Sequence, residues 1–428
     1  MTEFPATPTL AQKSQKSFSA FRNPDFRWFF LGNALAMMAD NIEHVISYWV
    51  IFQKFQSPTL AGFAVISHWI PFLLFSIWSG ALADKYDPRR VIQWGMYLFM
   101  LVTFVWGLLF VTDSLQVWHA VILLIIHGLA GVLWGPAAQM MIHDIVGKEQ
   151  LQSGVRLIAT SLTLGVLLGP AVGGGLMLWL GPAKGIMVNA FIYLPLVLWL
   201  WQAPYGSAFD RNRIRPPIRL IHGFSDFIAT IKSVSNQQTI ISMTLLAGMA
   251  SLFVGNAYHA QMPEFTFGLL PHDDGIFYAI LLTASGIGAL CAGIILESCN
   301  FLQAKPNTVF YLVLIWCITI IGFAISSNIY FSVGLLFFAG FLELTYKSMA
   351  QTLVQLNAPN EIRGRVIGLF NMSSLGLKSF SGFTVGIGGA LVGIHWSLGI
   401  SAALLLIFSL LLLIYMMQTQ SAVSQKTK

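Results

Sequence analysis

Asp40, Glu43 and His44 fall at positions i, i+3 and i+4, with Ser47 continuing the same stripe, so a helix through them lines two carboxyls and an imidazole on one face. Two acids sharing a face in low-dielectric surroundings do not easily ionise together, and such a stripe can hold and release a proton. Asp40 is the first choice for the coupling acid. The competing reading is a polar clamp between helices. The stripe lies inside the apolar run 28 to 52, which is long enough to cross a bilayer; at ~1.5 Å rise per residue Asp40 is about 18 Å from its start, near the hydrocarbon midplane. An ionised Asp at that depth costs about 2.5 to 3.5 kcal/mol, so it must face a protein interior or a water-filled cavity.

The rest of the chain must therefore build that interior. Of its 428 residues 56% are hydrophobic and 9% charged, and the mean hydropathy is +0.73, which describes an all-α polytopic membrane protein. The polar segment 1 to 22 has no apolar core or small-residue cleavage site, so no signal peptide is expected. Cys291, Cys299 and Cys317 have no metal-ligand spacing and read as small packing residues.

Apolar runs predict twelve transmembrane helices: 28 to 52, 59 to 83, 90 to 112, 117 to 141, 154 to 180, 184 to 203, 239 to 263, 275 to 297, 308 to 326, 330 to 352, 366 to 392 and 396 to 417. Lys54 and Lys184 fall in odd-numbered loops and Lys347 and Lys378 inside spans. The other Lys and Arg lie on the side of the termini, which the positive-inside rule makes cytoplasmic. The net charge of +6 thus anchors the chain to membrane lipids and implies no nucleic acid. Residues 204 to 238, with Arg211, Arg213, Arg215 and Arg219 before an apolar-periodic piece, read as a cytoplasmic linker carrying an amphipathic helix, or as a solvated basic loop. It separates an N-terminal six-helix bundle (1 to 203) from a C-terminal one (239 to 428).

The two halves echo each other. Gly80 and Asp84 leaving span 2 correspond to Gly293 and Glu297 leaving span 8, Glu149 corresponds to Glu361, and His44 to His259, all at a nearly constant offset. A duplicated six-helix unit places substrate between the repeats and favours a transporter.

Two motifs carry a family resemblance. Gly80-Ala-Leu-Ala-Asp84-Lys85-Tyr86-Asp87-Pro88-Arg89-Arg90 resembles the loop 2 to 3 signature of the major facilitator superfamily, with Asp87-Pro88 where a Gly is usual, as in its enterobactin-exporter-like branch. Gly80 permits close helix approach, and Asp84 can cap the facing helix near Arg365. Arg89 or Arg90 could pair with Asp144. Gly165-x3-Gly169-Pro170-x2-Gly173-Gly174 resembles the span 5 motif of proton antiporters that export their substrate; small residues pack closely and Pro170 lets the helix bend. The loop around Arg363 and Arg365 resembles the second-half gate. In span 4 the family's Arg is replaced by His127, which could titrate in its place or sit neutral within the bundle.

That resemblance implies two six-helix bundles in the major facilitator fold, working as a monomer in a bacterial inner membrane with both termini cytoplasmic. Its expected partners are a small-molecule substrate and protons. Asp40, Glu43, His44 and His127 are the candidates for proton coupling. Asn41, Asn256, Tyr258, His259, Glu343, Lys347 and Lys378 are the candidates for substrate contact, although Glu343 and Lys347, at i and i+4, can neutralise each other. Gly80, Asp84, Arg89, Arg90, Asp144, Gly169, Pro170, Arg363 and Arg365 are the gating candidates. Proton-coupled efflux of a siderophore-like or drug-like molecule is the leading expectation, with siderophore import or lysophospholipid flipping as alternatives. No enzyme is expected, because the chain has neither a His-Glu-x-x-His zinc motif nor a phosphate-cradling Gly-rich loop, and no cofactor or metal centre is signalled by spacing.

Overall fold

The computed structural model describes residues 17–55, 58–206, 224–255, 262, 265–266, 276–299, 302–381 and 388–426, and what is described is helical. After a 3-10 turn, Ser19–Arg22, come α1 (Pro24–Phe55), α2 (Pro58–Lys85), α3 (Pro88–Val111) and α4 (Val117–Asn189). Asp87 starts α3: its side chain accepts from the Arg89 N–H and Pro88 occupies the first helical turn, where a missing N–H costs nothing. This gives the Asp-Pro variant of the loop a local structural role.

α4 covers what the apolar runs divide into spans 4, 5 and the start of 6. Its helical path is broken at Gly147 (φ 68°) and Gly181 (φ 73°), left-handed conformations that favour glycine. The chain reverses at both. Gly154 lies against Ile142 and Val146, and Gly185 against Leu176, neighbours that an unbroken helix would hold more than a turn apart. Span 6 then finishes through a short 3-10 turn and α5 (Leu194–Gln202).

The second half contains α6 (Phe224–Val234), α7 (Gln238–Phe253), α8 (Ile276–Cys299), α9 (Pro306–Ile325), α10 (Ile329–Asn357), α11 (Arg363–Asn371), a π turn (Met372–Gly376), α12 (Lys378–Ser381), α13 (Gly388–Val392) and α14 (Ile394–Lys426). The expected eleventh span is thus divided, with a π turn just before Lys378. Such turns insert an extra residue per turn and re-aim the side chains that follow. The linker does hold a helix, α6, with Ile228 exposed.

Buried apolar side chains of the first half form cores around Trp106, Phe99 and Tyr193, and those of the second around Trp316, Phe310 and Phe323. Large apolar groups such as Trp179, Leu178 and Leu391 are left bare on the outside, as lipid-facing surface requires. The three cysteines are free.

Candidate functional site

α1 carries Asp40 and Glu43 into the protein interior, 5% and 2% exposed. α4 brings His127 against them, also 2% exposed. Its Nε2 lies 3.0 Å from Asp40 Oδ1 and its Nδ1 2.9 Å from Glu43 Oε1. These are ion-pair distances, with the oxygens out of line for well-directed ring N–H bonds. Carboxylates facing both ring nitrogens match an imidazolium, which has an N–H on each, whereas neutral histidine has one. The two acids therefore do not meet as a bare carboxyl pair sharing a proton, as their spacing suggests. An imidazole from another helix stands between them.

Further groups close the site. His44 Nδ1 is 3.7 Å from Asp40 Oδ2. Thr103 of α3 places its hydroxyl between the Glu43 carboxylate and the Phe99 carbonyl, with one proton to give to either. The Phe99 ring meets His127 edge-on at 4.8 Å and stacks on the buried Tyr193 at 5.4 Å, fixing the imidazole from behind. From α2, His68 comes within 4.8 Å of the His44 ring centroid and 5.7 Å of His127. Sequence reasoning missed His68, Thr103 and Tyr193, none of which shares a helical stripe with another ionisable residue of its own segment.

The span 5 glycines hold α1 in place. A side chain at Gly165 would strike Met37 and the Ala34 carbonyl, one at Gly169 would strike Asn41, and Gly173 lies against Ile42 and Val45. Pro170, next to Gly169, is exposed. The Asn41 amide is turned onto its own helix, donating to the Met37 carbonyl at 2.9 Å. Asn189 adds a clamp by donating to the Ala39 carbonyl at 2.8 Å.

Across from the cluster, the Lys378 ammonium sits over the Trp69 ring, 4.6 Å from its centroid, a cation–π contact between halves. Glu343 and Lys347 form their i, i+4 ion pair on α10. Asn256, Tyr258 and His259 lie outside the described residues.

At one end of the bundle the halves are bonded together. Asp84 accepts from the Gly364 and Arg365 N–H groups at 2.7 and 2.9 Å, capping α11 across the interface. Gly80 makes this possible, since its Cα packs directly on the Gly364 carbonyl. The counterpart of Asp84 in the repeat, Glu297, accepts from the Ser153 hydroxyl and lies 3.9 Å from Arg156. Arg156 also donates to the Leu296 carbonyl at 3.1 Å. Arg363 reaches His143 Nδ1 at 3.0 Å and also bonds Asn360. Arg89, which with Arg90 is a candidate partner for Asp144, bonds Asp87 at 2.7 Å and the Ala203 carbonyl at 2.6 Å. Arg90 is exposed, and Asp144 lies 3.8 Å from His143.

Comparison with known proteins fits this architecture. A family described as transmembrane secretion effector, within the major facilitator superfamily, matches residues 15–428. The chain is 21% identical over 354 residues to the staphyloferrin A transporter of Staphylococcus aureus, covering 81% of this chain and 85% of that protein. It is 22% identical over 361 residues to the putative bacilysin exporter BacE of Bacillus subtilis, covering 83% and 86%. Among solved structures, the major facilitator transporter FucP in an outward conformation superposes with TM-score 0.73 at 13% identity, covering 92% of this chain and 99% of that one. The human organic anion transporter MFSD10 gives 0.71 at 13% identity over the same shares.

Proposed function

The chain belongs to the transmembrane secretion effector family of the major facilitator superfamily, and on that premise we propose that it exports a small polar organic molecule in exchange for protons. It is a multi-pass membrane transporter and not an enzyme. The observation that carries the proton assignment is His127 held between Asp40 and Glu43 in the protein interior. Two buried acids sharing one imidazole change their charge balance when a proton leaves or arrives, which is the event a coupling site needs. The substrate is of siderophore-like or drug-like size, a reading supported by likeness to a staphyloferrin A transporter and a putative bacilysin exporter, and it carries acidic groups, a reading supported by the Lys378 ammonium over Trp69. It works as a monomer in a bacterial inner membrane, termini inside, by rocking of residues 1–203 against 239–428.

Deleting the gene tests direction. An export mutant retains the compound inside and leaves the medium depleted. Normal secretion with loss of uptake of added compound would make the protein an importer.

The bonded end of the bundle acts in this reading as the inner gate, with Asp84 as the latch on α11. Asp84→Asn keeps the side chain's shape but replaces a charge-assisted cap by a neutral one, a loss of about 1 kcal/mol. A population held shut at that end by a few kcal/mol shifts by roughly fivefold toward open. Spin labels on the inner ends of α2 and α11 should report a larger fraction of long distances, with slowed transport and unchanged substrate affinity. Wild-type distances together with wild-type transport would remove the latch from the account.

A further inference from the structure

Asp40, His44, His68 and His127 each offer one donor atom, and these four atoms lie within 4.8 Å of one another. From this convergence of α1, α2 and α4 we propose that the cluster binds a late first-row divalent metal ion of the zinc type. It rests on the reading above only in taking the cluster to be the cation site of a transporter.

The distances suit such an ion. A tetrahedral site with bonds near 2.1 Å keeps its donors about 3.4 Å apart. His127 Nε2 lies 3.0 Å from Asp40 Oδ1 and His44 Nδ1 3.7 Å from Asp40 Oδ2, so the carboxylate faces an imidazole nitrogen on each side at close to that spacing. His68 supplies the fourth donor, within the same 4.8 Å. Three imidazoles and one carboxylate suit zinc, cobalt, nickel or ferrous ions, whereas magnesium and calcium take oxygen donors. His44 Nε2 and His68 Nδ1 are buried atoms with no hydrogen-bond partner, so each ring keeps an uncommitted nitrogen.

The surroundings supply what ligands need from their neighbours. Glu43 faces His127 Nδ1 at 2.9 Å and can keep the N–H there, so that an arriving metal ion displaces the Nε2 proton to solvent and Nε2 ligates from the Asp40 side, the carboxylate–histidine–metal arrangement that fixes the tautomer of a metal-bound imidazole. The Thr103 hydroxyl lies against the same carboxylate. A dication with neutral His127 balances the charges of Asp40 and Glu43 within the bilayer.

Cobalt(II) is the probe, because tetrahedral coordination gives it an intense visible absorption. Full-length protein in nanodiscs, titrated without any ion gradient, should develop this band to saturation at one equivalent and lose it on adding zinc. His68→Ala should weaken binding at least about tenfold and Glu43→Gln by about ten- to a hundredfold. His119→Ala, far from the cluster, should bind as wild type. Unfolding midpoints identify a variant that fails to fold; His68→Asn then replaces His68→Ala. A missing band, a weak octahedral spectrum, or full binding in both His68 and Glu43 variants overturns the proposal. Because binding is read at equilibrium without export substrate, failure of the export assay with the band intact would reject the export reading alone.

Discussion

Asp40→Asn is expected to lower accumulation driven by a pH gradient by about one to two orders of magnitude, while exchange of substrate for substrate continues. The substitution keeps the shape of the side chain and removes its charge. His127 then retains one carboxylate, Glu43, and the site loses one charge-assisted contact of about 1.5 to 3 kcal/mol, the size of that change in rate. Exchange needs only the loaded carrier to reorient, so it does not require the missing charge. Both quantities can be read on the same proteoliposomes, with and without an imposed gradient. Full gradient-driven accumulation in Asp40→Asn would take the coupling role from Asp40, with Glu343 or His127 next in line.

The stripe on α1 was legible because ionisable residues at helical spacing inside an apolar run violate the cost of burying charge, and that violation is visible locally. His68 was not. It stands in α2 without an ionisable neighbour at i±3 or i±4, and a single histidine in such a run looks the same whether it packs or binds. Only the crossing of α2 over α1 and α4 brings it to His44. Thr103 is hidden for the same reason, since a lone hydroxyl in a helix satisfies itself on the carbonyl four residues back, as it does here with Phe99.

The gate lay between these extremes. Gly80 and Asp84 announced a close approach and a cap, and the cap does fall on Gly364 and Arg365. The role of Asp87 was harder to read, because it serves both as helix cap and as an anion for Arg89, two residues away. The starts of α3, α9 and α10 fall within two residues of those the apolar runs give, yet hydropathy cannot see that Gly147 and Gly181 let one hydrogen-bonded path reverse twice, or that a π turn precedes Lys378. Those features depend on backbone conformation, which a hydropathy pattern does not encode.

His127→Gln should destabilise the protein by about 3 to 5 kcal/mol, the usual cost of removing one member of a buried ion pair, because two carboxylates would remain inside with less positive charge to face. The two acids are unequal in this respect. Asp40 keeps His44 at 3.7 Å, whereas Glu43 is left with the Thr103 hydroxyl. Adding Glu43→Gln to His127→Gln should therefore recover most of the loss, and adding Asp40→Asn should recover less. Such non-additivity is expected only of groups that share a network, and an SDS titration in mixed micelles measures all four proteins on one scale. Equal recovery by the two second substitutions would mean that His44 does not compensate Asp40. No loss in His127→Gln would mean that the α1–α4 contact is held by the packing of Phe99 and Tyr193 around the ring, with the charges contributing nothing to its stability.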